Sequence, residues 1–68
     1  METNHWNIIA VTNHPTAPTI LWGGGRRGWV RNTSHAITYV SYDGALRTVA
    51  KGMREGVWTE SMVRVVPA

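Results

Sequence analysis

Apolar and polar positions alternate in short runs through the first half of the chain. Residues 5–12 (HWNIIAVT) put Trp6, Ile8 and Ala10 on one side and Ile9 and Val11 on the other, the pattern of a strand with apolar character on both faces. Asn13-His14-Pro15-Thr16-Ala17-Pro18 interrupts this run, and Pro18 can only start a strand or sit at its edge. Residues 19–22 (TILW) and 28–32 (GWVRN) predict a second and a third strand. The six residues between Trp22 and Trp29, three of them glycines in a row and two of them arginines, predict a β-hairpin with a flexible, cationic tip. Residues 33–41 (TSHAITYVS) fit two readings. Ile37, Tyr39 and Ser41 alternate against Thr38 and Val40, as in a strand. A single helical turn capped by Ser34 and anchored by Ala36 and Ile37, followed by extended chain, fits equally, and the turn is favoured.

The period changes after residue 41. Ala45, Leu46, Val49, Ala50 and Met53 recur at helical spacing and predict an amphipathic helix over 42–54. Ser41 is a good N-cap, Asp43 suits the positive end of the helix dipole, and Gly56 supplies a stop. Arg47, Lys51 and Arg54 fall away from the apolar stripe. Residues 57–61 lead to a last strand at 62–66 (MVRVV), closed by Pro67.

The order β-β-β-α-β predicts an α+β fold, one domain over 1–68. One helix packs its Ala45/Leu46/Val49/Ala50/Met53 stripe on a three- to four-stranded, mostly antiparallel sheet. The last strand is expected beside the first. After an up-down-up meander and a returning helix those two strands run parallel, through a right-handed crossover. The 20–32 hairpin then lies towards the open edge of the sheet.

Composition narrows the chemistry. A chain of 68 residues buries only about 60% of its unfolded surface, so its stability is marginal. With no cysteine there is neither a disulfide nor a thiolate metal site, and the core or a partner must supply the stability. Hydrophobic residues make up 43% and charged residues 16%, a folding composition. Seven Lys+Arg against four Asp+Glu leave a net charge of +3, and six of the seven cations are arginine. Arginine favours bidentate recognition of carboxylate or phosphate, so an acidic protein surface or a nucleic acid is the expected partner. No apolar run approaches the ~20 residues of a membrane span, and no signal of secretion opens the chain. A cytoplasmic protein is expected.

Catalysis has little to work with. Ser34 and His35 are adjacent, so their side chains diverge where a triad needs convergence. His5, His14 and His35 follow no metal-ligand spacing. A non-enzymatic protein without metal or cofactor is expected.

The layout resembles that of short phage- and prophage-encoded proteins. The resemblance rests on Gly28-Trp29-Val30-Arg31, on Ser34, Ala36 and Tyr39, on the Ser41…Ala45 helix start, and on Val63-Arg64-Val65-Val66-Pro67. It implies an accessory protein that binds and modulates a host protein in the host cytoplasm.

The candidate contact residues for such a partner are Trp22, Arg26, Arg27, Trp29, Arg31 and Trp58. Tryptophan and arginine together have the composition of binding hot spots. Trp6 and one of Trp22 and Trp29 are expected in the core, and Trp58 partly exposed. Strand alternation puts Trp29 and Arg31 on the face opposite Val30. If Val30 points at the helix, Trp29 and Arg31 form a patch on the helix-free face. The alternative is a nucleic-acid-binding domain using Arg26, Arg27, Arg31, Arg47, Lys51 and Arg54 on phosphates. A third reading is a homo-oligomer joined through exposed strand edges. On a plainer reading the turn is a flexible hairpin whose arginines only keep the edge soluble.

Overall fold

The computed structural model describes residues 5–11 and 19–68. The loop read at 13–18, with His14, lies outside them. Four strands form one sheet in the order β3-β2-β1-β4: β1 Trp6–Ala10, β2 Leu21–Trp22, β3 Trp29–Val30 and β4 Val63–Pro67. One long helix, α2, spans Tyr42–Arg54, and a single short turn of helix, α1, spans Gly24–Arg27. This is the α+β architecture expected from the order of elements.

Alternation along β1 sends Trp6, Ile8 and Ala10 to the face that α2 covers. Ile8 is wholly buried there, with Ala45 and Val49 of α2, Trp58, and Val63 of β4. Trp6 packs against this core and meets Tyr42 edge to face, with ring centroids 4.9 Å apart. The opposite face carries Asn7, Ile9, Leu21 and Val30, the last three in direct cross-strand register.

β4 lies beside β1, as expected, but antiparallel to it, with Trp6 opposite Pro67 and Ala10 opposite Val63. The correction comes from residues 33–41. Asn32, not Ser34, caps a 3-10 turn at Thr33–His35: its side chain accepts a hydrogen bond from the Ser34 amide at 2.9 Å. The chain then runs extended back down the sheet, in the gap where β1 and β2 diverge. Tyr39 exchanges two 2.8 Å backbone hydrogen bonds with Trp6, and the Ile37 amide donates to the Trp22 carbonyl at 3.0 Å. The buried Asn7 closes the gap by donating from Nδ2 to the Ile37 carbonyl at 3.0 Å. This extra downward pass starts α2 at the Trp6 end of β1. The helix delivers the chain to the Ala10 end, so β4 must descend.

Val11 donates to the Met62 carbonyl and Ala68 to the His5 carbonyl, each at 2.9 Å. Even-numbered residues of β4 therefore turn their backbone groups towards β1. Val63, Val65 and Pro67 turn theirs to the outer edge, where Pro67 has no N–H to offer, a common way to blunt an edge strand.

The helix begins as its sequence dictates. Ser41 is extended, and its hydroxyl accepts from the Gly44 amide at 3.0 Å. Ser41→Ala is expected to lower stability by about 1 kcal/mol, read as a drop in Tm of roughly 4–8 °C for a domain of this size. The apolar stripe is only half used. Ala45, Val49 and Gly52 face the core, while Leu46 and Met53 stay 41% and 40% exposed and Ala50 is exposed. The roll follows from Trp58. Its indole lies so close to the bare backbone of Gly52 that a Cβ there would sit 2.5 Å from Cζ2 and 2.6 Å from Nε1.

Candidate functional site

The hairpin tip is a wound turn instead of the flexible loop expected. The Gly23 amide donates to the Gly28 carbonyl, and the Gly28 amide to the Gly24 carbonyl, each at 2.7 Å. Two backbone positions demand glycine: Gly24 at φ 90° and Gly28 at φ 66°. Gly24 also lies against Ile37, whose Cδ1 would stand 2.8 Å from a Cβ. Arg26 and Arg27 end the turn with their side chains exposed.

Behind the turn stand three tryptophans. Trp22 and Trp29 are cross-strand partners with rings 5.2 Å apart, tilted by 66°. Trp22 meets Trp58 at 4.9 Å and 84°, and Trp29 reaches Trp58 at 5.8 Å. Trp58 is anchored by its indole N–H, which donates to the Val49 carbonyl of α2 at 2.9 Å. Two expectations change here. Trp58 is buried, only 4% exposed, because the Val57 amide donates to the Gly52 carbonyl at 2.8 Å and folds the chain back over the helix. Trp29 lies on the helix-bearing face, in contact with that same Trp58, and Val30 faces away beside Leu21. The expected Trp29–Arg31 patch on the helix-free face is therefore not formed. Trp29 remains 38% exposed, as the outward member of the cluster.

A cavity of about 270 Å³ opens between the turn and the second half of α2. Trp22, Tyr39 and Trp58 form its aromatic walls, Gly24 and Gly25 one lip, and Lys51 and Glu55 the polar groups on the helix side. Burial pushes the Tyr39 hydroxyl above its usual range, opposed by its hydrogen bond with the Thr48 side chain, so this wall is uncharged at neutral pH.

Of the residues singled out from sequence, Trp22, Trp58 and Lys51 line this cavity, and Arg26, Arg27 and Trp29 adjoin it. Arg31 is exposed just beyond β3, and Arg54 is exposed in the last turn of α2. Arg47 borders a separate hollow at the start of α2, with Ser41 and Asp43. The helix cations therefore share no single site, and only Lys51 joins the hairpin. Tyr39 and Glu55 are not among the contact residues expected from sequence, and only the extended 37–40 pass and the helix roll bring them here. The one local signal was Gly52, a glycine inside a helical pattern six residues before a tryptophan.

Among the described residues no three His, Cys, Asp or Glu side chains come together to hold a metal ion, and no helix is long and apolar enough to cross a membrane. No family model, curated protein or solved structure matches this chain.

Proposed function

We propose that this chain is a non-enzymatic binding protein that docks on an acidic face of a partner protein through the α1 turn and Trp29. For a phage-type accessory protein the partner is a host protein whose activity the docking modulates. The observation that carries this reading is Trp29. It is a large aromatic ring, 38% exposed, held in place from behind by Trp22 and Trp58. A rigid aromatic anchor loses little entropy on binding, and such anchors dominate interface energies. Arg26 and Arg27 sit on the adjoining turn with forked donors for carboxylates.

The test is affinity capture from nuclease-treated bacterial lysate, comparing wild type with the Arg27→Glu/Trp29→Ala double variant. One protein is expected to be retained by wild type and lost by the variant. Thermal melting should show the variant destabilised but still folded: Trp29 is the partly exposed member of the cluster, and each of its two ring contacts is worth about 0.5–1.5 kcal/mol beyond the area it buries. Capture that survives the double variant rejects this surface.

The nucleic-acid reading keeps one observation in its favour. Lys51 borders the same cavity as Gly24 and Gly25, which puts it on the same side of the molecule as the turn that carries Arg26 and Arg27. Three phosphate contacts imply a salt slope of about −2.7, or roughly a 40-fold loss of affinity for duplex DNA between 50 and 200 mM salt. A flat salt profile excludes this mode.

A further inference from the structure

We propose that the cavity between α1 and α2 receives one apolar side chain of the partner, aromatic by preference, from a segment that places a carboxylate next to it for the cations of the turn. This rests on the docking surface proposed above and names the kind of segment it takes. Size is the first argument. About 270 Å³ lies at the bottom of the roughly 300–1,000 Å³ range of pockets that enclose cofactors or drug-sized molecules, and this hollow is open on one side. It suits a single large side chain, the usual form of an interface anchor.

The walls give the second argument. Trp22 and Trp58 meet at 84°, so the cavity offers an aromatic face beside an aromatic edge, the arrangement in which a further ring packs well. Gly25 leaves the lip open, since a Cβ there would meet nothing within 4 Å.

Charge is the third. An aromatic box with one carboxylate, here Glu55, is also the chemistry that holds a cation. Lys51 lines the same cavity, however, and Arg26 and Arg27 end the turn whose glycines form its lip. Lys51 and Glu55 balance each other in the lining, and the exposed Arg26 and Arg27 that follow Gly25 tip the local charge against a cationic occupant. They favour an apolar group escorted by an Asp or Glu.

Two short peptides test this on isotope-labelled full-length protein: N-acetyl-Glu-Phe-amide and N-acetyl-Lys-Phe-amide. The glutamyl peptide is expected to bind in the millimolar range. It should give saturable NMR shifts at the Gly24, Gly25 and Lys51 amides and the Trp22 indole N–H. The lysyl peptide should bind at least about tenfold more weakly, a difference of about 1.4 kcal/mol. Gly25→Leu, which hangs a side chain at the open lip, is expected to abolish the shifts. Lys51→Glu is expected to narrow or reverse the preference between the peptides. Absence of saturable shifts with either peptide overturns the proposal. Equal or tighter binding of the lysyl peptide overturns its charge assignment in favour of a cationic guest. The two readings fail separately. Capture lost in the Arg27→Glu/Trp29→Ala variant without peptide binding keeps the docking surface and removes the cavity from it. Peptide binding with capture unchanged in that variant keeps the cavity and removes the surface.

Discussion

Trp58→Ala is expected to leave the protein largely unfolded at ambient temperature. The ring is 4% exposed and packs on Ile8, Ala45, Val49 and Val63, with Trp22 and Trp29 at its other edges. Truncating a buried aromatic to alanine costs about 3–5 kcal/mol. A domain of this size without disulfide or metal rarely has more than about 3–5 kcal/mol in total. The indole N–H bonded to the Val49 carbonyl is lost as well, which adds about 1 kcal/mol. Trp58→Phe keeps most of the ring and loses this bond, so its effect should be smaller. Trp29→Ala should be smaller still, because much of that ring already faces water. Thermal melts followed by far-UV circular dichroism should rank the three as Trp29→Ala, Trp58→Phe, Trp58→Ala, in order of growing damage. A melt in which Trp29→Ala is as damaging as Trp58→Ala contradicts the placement of Trp58 at the centre.

This ranking departs from the expectation that Trp58 is partly exposed, and the reason is physical. Features set within a few residues were legible. Ser41, Asp43 and the spacing of Ala45 and Val49 fix where α2 starts and runs, because capping and helical period are local. The pairing of Trp22 with Trp29 across a glycine-rich turn is local too, and so is the presence of Arg26 and Arg27 at its tip. What escaped depends on contacts between distant segments. Alternation says that Trp29 and Val30 face opposite ways, but only Trp58 decides which of them faces the helix. The apolar stripe of α2 contains Leu46 and Met53, yet the helix turns a glycine inward instead, and hydropathy gives no credit to a residue with no side chain. The direction of β4 hung on residues 36–40. They form one isolated bridge to Trp6 and show no strand of their own. The candidate site divides in the same way: its cations and indoles were visible as residue types, whereas Tyr39 and Glu55 join them only once the chain has crossed the sheet and the helix has rolled.

Gly52→Ala isolates that roll in a single methyl group. Intrinsic helix propensity favours the change by about 1 kcal/mol. Sterics oppose it, because the new Cβ would lie 2.5 Å from Trp58 Cζ2 and 2.6 Å from its Nε1, inside any real van der Waals contact. The neighbour is not the far end of a flexible chain that swings aside. It is a rigid indole buried in the core cluster, flanked by Trp22 and Trp29 and held by its own hydrogen bond to the Val49 carbonyl. Overpacking a well-filled core costs about 1–3 kcal/mol. Moving the indole also pulls its N–H away from the Val49 carbonyl, which puts the expected effect at the upper end of that range. A net loss of about 1–2 kcal/mol, after propensity is credited, should lower Tm by roughly 4–16 °C. Near-UV circular dichroism should change with it, since the Trp22–Trp58 geometry shifts. Gly25→Ala is the internal control. It sits in a helical turn at ordinary φ with nothing within 4 Å of its new Cβ, so it should be neutral or stabilise by up to about 1 kcal/mol. If Gly52→Ala stabilises the protein as Gly25→Ala does, the indole does not rest on Gly52, and the aromatic wall it forms for the cavity is misplaced. If only Gly52→Ala destabilises, one close contact between a helix glycine and a tryptophan both closes the core and shapes the surface proposed to bind.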